Sequence, residues 1–184
     1  MHEHSVSIRS RRSRRSLRGF TLVELVVVIA IIGIVLLIAL PNFTRMQRQA
    51  RTRSAWQKTA QHFKMLRERA ISTGGTYAIV FPDQASYRLY RPDSTTQVFK
   101  LNEVAGGRIY FGGVNVAGQP PEASMAAPGN NGIDFPGGQL IIDARGGATS
   151  GVVYITDGID NYAVGVNSLG KIETYTFAAG YWNP

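Results

Sequence analysis

With 184 residues, a formal net charge of +8 and no cysteine, the chain has room for one compact domain and an appendage. The missing cysteine excludes a disulfide framework, a thiol nucleophile and any cysteine-ligated metal. The charge is lopsided: residues 1–19 hold Arg9, Arg11, Arg12, Arg14, Arg15 and Arg18 against Glu3, whereas the rest holds 14 Lys and Arg against 11 Asp and Glu, a net of +3. A nucleic-acid reading founded on bulk basicity therefore rests mainly on the first 19 residues.

The first predicted element is an apolar helix. Phe20 to Leu40 is a run of 21 residues in which Glu24 is the only charge. At ~1.5 Å per residue it spans roughly 31 Å, about one hydrocarbon core. A secretory signal peptide has a shorter apolar region, of about 7 to 15 residues, and ends in a small-x-small cleavage site that is absent before Pro41. A plain membrane anchor accounts for the length and leaves Glu24 unexplained, at about 2.5 to 3.5 kcal/mol for a charge at mid-membrane and less near the boundary.

The stretch "RGFTLVELVVVIAIIG" resembles the N-terminal signature of type IV prepilins and type II secretion pseudopilins: a basic leader ending in Gly, then Phe-Thr-Leu-x-Glu, then an unbroken apolar helix. The resemblance implies a leader over residues 1–19, removed by a prepilin peptidase between Gly19 and Phe20. It also implies N-methylation of Phe20 and later extraction of the anchor from the inner membrane into a filament. In that family the glutamate is taken to pair with the N-terminal amine of a neighbouring subunit, which makes Phe20 and Glu24 the expected assembly residues. A buried carboxylate with a cationic partner is tolerable, and one without is expensive. Cations flank the run on both sides, so orientation follows from the implied cleavage: leader in the cytoplasm, head in the periplasm.

Pro41 ends the apolar run and predicts a kink or short break, with the helix resuming at Asn42. Residues 41–74 form an amphipathic extension: Phe43, Met46, Ala50, Trp56, Ala60, Phe63, Leu66 and Ala70 make a stripe broken only by Arg53, expected to pack on a sheet. "STGG" at Ser72 to Gly75 stops it. Beyond that, the pattern changes to period two. "TYAIVF" and "SYRLYR" flank "PDQA" as a hairpin, followed by "TQVFKL" and "RIYFGGV". Residues 112–132, nearly free of large side chains, predict a long mobile loop. "GQLIIDA", "GVVYITDG" and the pair "NYAVGVN" and "GKIETYTF" close the head, residues 75–184. The predicted class is α+β: a long N-terminal transmembrane and amphipathic helix packed on an antiparallel β head.

The C-terminal pattern adds to the resemblance. Phe135 to Gly138, Gly151 to Ile155 and Gly170-Lys171 stand where the GspH/FimT group of minor pilins and pseudopilins has its Phe-x-x-x-Gly strand start, its Gly-x-Val-x-Ile strand and its final hairpin. This implies a pilin-like fold, a structural rather than enzymatic role in pilus biogenesis or protein secretion, and other pilin or pseudopilin subunits as partners. No cofactor is implied.

Other chemistry has little support. His62 is the one histidine beyond residue 19, and no GxSxG, Walker or HExxH motif occurs. Asp157 and Asp160 in "TDGIDNY" are candidate calcium ligands, but the spacing is not that of an EF-hand, and an Asp-, Gly- and Asn-rich turn is the commoner meaning. Some FimT-type minor pilins are linked to DNA uptake through cations in the last hairpin. Here Lys171 is the candidate, followed after one residue by Glu173, whereas phosphate binding needs several converging cations.

Overall fold

The computed structural model describes residues 20–91, 96–101, 108–123 and 131–184. The expected leader with Gly19, and residues 124–130 of the expected loop, lie outside the described residues. The chain divides into two compact units, residues 1–42 and 43–184.

One helix, α1 (Leu22–Thr73), contributes to both units. In the first unit every residue from Phe20 to Leu40 is exposed, so the apolar run has nothing of its own chain to pack on among the described residues. The backbone is helical at Pro41 and on both sides of it, with no break there. The helix ends as "STGG" predicts. Gly74 adopts φ +64°, open to a residue without Cβ, and the Gly75 N–H bonds the Ala70 carbonyl at 3.2 Å, closing the last turn.

In the second unit the amphipathic stripe is half right. Ala55, Trp56, Ala60, Phe63, Leu66 and Ala70 are buried, joined by Thr52 and Thr59. Phe43, Met46 and Ala50 are exposed, contrary to expectation. The reason is an open seam: Arg48 and Thr52 are fastened to the turn carrying Asp157, but Met46 and Ala50 border a hollow with Tyr162, Thr176 and Phe177 instead of packing closely on those strands. Two threonines take apolar positions because each hydroxyl bonds the carbonyl one turn back, Thr52 to Arg48 and Thr59 to Ala55.

The head holds two antiparallel sheets. The first runs β3 (Thr96–Lys100), β2 (Ser86–Tyr90), β1 (Tyr77–Asp83), β6 (Gln139–Ile142). The second runs β10 (Tyr181–Asn183), β9 (Ile172–Ala178), β8 (Asn161–Val166), β7 (Gly151–Thr156), β4 (Tyr110–Phe111), and β5 (Ile133–Asp134) also pairs with β7. Helix residues 55–70 share one core with both sheets. Trp56 lies 5.0 Å from Tyr162 and donates its indole N–H to the Ala163 carbonyl, while Phe63 meets Phe81 edge-on.

The alternation along β7 and β8 builds a second, smaller core behind the first. Val153 and Ile155 face the helix core, whereas Val152 and Tyr154 join Ala163 and Tyr175 on the other side, with Ala123 and Trp182 against them. The segment 112–123 covers that outer face. Gly112, where the segment begins, and Gly132 both meet the Tyr154 backbone, which accepts from the Gly112 N–H at 3.0 Å and donates to the Gly132 carbonyl at 2.8 Å. Gly132 has φ +66°, and a Cβ there would lie 2.1 Å from the Gly112 nitrogen, so glycine alone fits this crossing. Asn161 further ties Val114, and Trp182 donates to the Gly118 carbonyl. The part of the expected mobile loop that is described is thus irregular but tied at both sheet edges.

Candidate functional site

The apolar run begins with a cap. Thr21 precedes the helix, and its hydroxyl accepts the Glu24 N–H at 3.2 Å, while the Leu25 N–H reaches the Thr21 carbonyl. Thr21 and Glu24 have the spacing of a capping box, and a carboxylate in the first turn suits the positive end of the helix dipole. Glu24 therefore has a local reason to sit near a helix start, beside any partner it meets elsewhere. It belongs to neither ion pair seen among the described residues, Arg48–Asp157 and Lys171–Glu173. Phe20 is 77% exposed, and from Leu22 to Leu40 the side chains present apolar surface all round. A helix apolar on every side has to be covered by lipid or by other helices.

Residues 14–40 carry the prokaryotic N-terminal methylation motif. The match takes in the last arginines before Gly19, then Gly19, Phe20, Glu24 and the apolar run together. Among solved structures, the chain is similar to the type IV minor pilin FimU of Pseudomonas aeruginosa, at 10% identity over 76% of this chain and 95% of that one, with a TM-score of 0.45. It is also similar to the minor pseudopilin EpsH from the type 2 secretion system of Vibrio cholerae, at 16% identity over 71% and 98%, with a TM-score of 0.43. No curated protein sequence matches the chain.

The head accounts for the remaining candidates. Asp157 is engaged within the fold: it pairs with Arg48 at 3.3 Å, lies 3.1 Å from the Thr52 hydroxyl, whose proton it shares with the Arg48 carbonyl, and receives the N–H groups of Ile159 and Asp160. Asp160 lines a separate hollow with Arg53, Tyr162 and Phe177. The structure therefore uses Asp157 to fasten the turn to the helix and does not converge it with Asp160 and a third His, Asp or Glu among the described residues. Sequence reasoning missed the Arg48–Asp157–Thr52 set. Its only signal was Arg48 and Thr52 one helical turn apart, with no hint of the turn they face.

Lys171 is committed to Glu173, which holds the ammonium in its charged form and itself lies below the usual carboxylate range. Glu173 also accepts from the Tyr175 hydroxyl at 2.7 Å, and Glu122 of the covering segment approaches that hydroxyl at 2.9 Å. Burial and these two carboxylates push the Tyr175 phenol far up. Gly165 makes room for Glu122, since a Cβ there would lie 2.6 Å from its carboxylate. The hairpin expected to be the last is β8–β9, with β10 following it, and its turn presents one paired cation beside the carboxylates of Glu173 and Glu122, an arrangement that repels phosphate. His62 is packed against Phe99 with ring centroids 4.2 Å apart, and its Nδ1 lies 2.5 Å from the Tyr87 hydroxyl. Burial, aided by the Lys58 charge, lowers its pKa from 6.5 and favours the neutral ring beside that hydroxyl.

Proposed function

We propose that the chain is the precursor of a minor pilin or pseudopilin of the GspH/FimT type, with a structural role in a type IV pilus or a type II secretion machine. One observation carries this reading: the methylation motif over residues 14–40 coincides with a helix that is capped at Thr21, carries Glu24 in its first turn and is exposed and apolar through Leu40. A prepilin peptidase cuts after Gly19, and the new amine of Phe20 is methylated. The helix is stored in the inner membrane with the head in the periplasm, and Pro41 lies where the apolar run ends. On assembly the apolar faces bundle with other subunits, and Glu24 meets a neighbour's Phe20 ammonium, fixing axial register. A second reading, a membrane-tethered DNA receptor, is disfavoured by the pairing of Lys171 with Glu173.

The deciding experiment is the intact mass and N-terminal residue of the protein purified from membranes of its own host. A chain starting at N-methylated Phe20 is expected; an intact Met1 or a cut beyond Leu40 would discard the prepilin pathway. For the register role, Glu24→Ala should leave cleavage and insertion intact while filament incorporation falls severely. Normal incorporation of that variant would reduce Glu24 to a helix-capping residue.

A further inference from the structure

Between Glu24 and Glu68 there is no acidic residue, yet Arg45, Arg48, Arg51, Arg53, Lys58, Lys64 and Arg67 follow the apolar run. Cations just beyond a membrane span on its translocated side run against the usual charge bias, so they call for an anionic partner. The head answers part of this demand. Asp157 neutralises Arg48, Asp160 shares a hollow with Arg53, and Arg67 is held by the Gly146 carbonyl. Arg45 is exposed and is paired with none of these acids.

Beside it stands an apolar side chain held outward. The turn between β7 and β8 is fixed by the Asp157 carboxylate, which takes the N–H groups of Ile159 and Asp160 at 3.0 and 2.9 Å. At its tip Ile159 remains 60% exposed, and it lines one hollow with Thr44, Arg45 and Arg48. Phe43, equally exposed, precedes them. A turn held by its own hydrogen bonds that presents an exposed Ile159 beside Arg45 has the composition of a membrane-surface element, an apolar tip next to a cation.

We propose that this end of the head, Phe43, Arg45 and the Ile159 tip, seats on anionic lipid headgroups of the membrane that anchors the chain. The proposal rests on the anchored reading above. Leu40 ends the apolar run and Arg45 follows five residues later, so Arg45 cannot lie more than about 18 Å from that end in any conformation. That tether keeps it near the headgroup layer, where attraction survives over about a Debye length of 8 to 10 Å. A nucleic acid fits less well, because a phosphate chain asks for several convergent cations and gains nothing from Ile159. Seating would hold the stored subunit down until assembly lifts it.

The absence of native cysteine allows a clean test on the full chain in lipid nanodiscs. A polarity-sensitive bimane at Ile159→Cys reports seating, and flotation of the same sample reports anchoring. With phosphatidylglycerol discs the emission should shift to the blue and be quenched by headgroup-labelled lipid, whereas phosphatidylcholine discs should show neither. Arg45→Gln should lower the seated-to-unseated ratio in anionic discs roughly fivefold, and molar salt should do the same. Equal emission in both lipids from a chain that floats would overturn the seating and leave the anchor standing. A shift seen only on adding other pilin subunits, or duplex DNA, would assign the face to that partner and overturn it as well. A chain that does not float in either lipid would overturn both.

Discussion

The two halves of helix α1 are built from opposite solutions to one problem. Residues 22–40 are apolar on every side and exposed on every side; residues 52–70 are apolar on one stripe, and that stripe is buried. The second half is stabilised by its own chain, through Phe63 and Leu66 sealed between the sheets, whereas the first depends on lipid or on neighbouring helices. Amphipathicity therefore marks where the molecule is self-sufficient, and uniform hydrophobicity marks where it is not.

Two substitutions should separate the halves most strongly. Phe63→Ala empties a site with no solvent exposure and is expected to cost the head about 3 to 5 kcal/mol, seen in urea unfolding followed by Trp56 fluorescence, with membrane fractionation unchanged. Ile31→Lys should do the reverse, weakening insertion by about 2.5 to 3.5 kcal/mol while the urea midpoint of the head stays put. If Ile31→Lys moved that midpoint, the head would not be self-sufficient.

A smaller effect is expected where the helix first meets the head. The Asp157 side chain is 2% exposed and serves Arg48, Thr52 and two backbone N–H groups of its turn. Asp157→Ala should destabilise the head by about 1 to 3 kcal/mol, because the turn amides lose their acceptor while Arg48, 36% exposed, can return to water. Asp157→Asn keeps one oxygen for the turn and should cost less. Equal losses in the two variants would mean that the ion pair, and not the turn, carries the stability.

Legibility in the sequence followed the same division. The apolar run, the Gly74 stop and β7 to β9 are announced by runs of like residues or by strict alternation, signals that survive without knowing the partner. β5 has only Ile133 and Asp134, too few for a period, and β10 hides behind a two-residue turn in which Ala179 as well as Gly180 takes positive φ. Alanine is a poor turn signal, since its Cβ disfavours that conformation. The covering segment looked mobile because Gly112 to Ala123 has few large side chains, yet its anchors, Asn161, Trp182 and Tyr175, lie far along the chain. Of the candidate assembly residues, Phe20 and Glu24 were readable because their spacing is local. The Ile159 face was not, because it joins a turn to a helix more than 100 residues away.

The smallest expected effect tests the helix stripe through acid. His62 lies on the rim of the buried face, its pKa lowered from 6.5 first by burial and then by the Lys58 charge. The folded state thus binds fewer protons than the unfolded chain, and stability rises with pH. The contribution is complete above about pH 6.5 and is lost as the pH falls toward the folded value, by well under the ~1.4 kcal/mol per pH unit set by one proton, since the ring is half-buried. His62→Asn should flatten the melting temperature between pH 7 and 5. Because burial outweighs Lys58, Lys58→Gln should trim the slope only slightly. Tyr87→Phe should keep most of it while removing the hydrogen bond at 2.5 Å. If Tyr87→Phe abolished the slope, the hydrogen bond rather than burial would be setting the charge state, and the stripe would be less dry at its edge than Phe63 and Leu66 are at its centre.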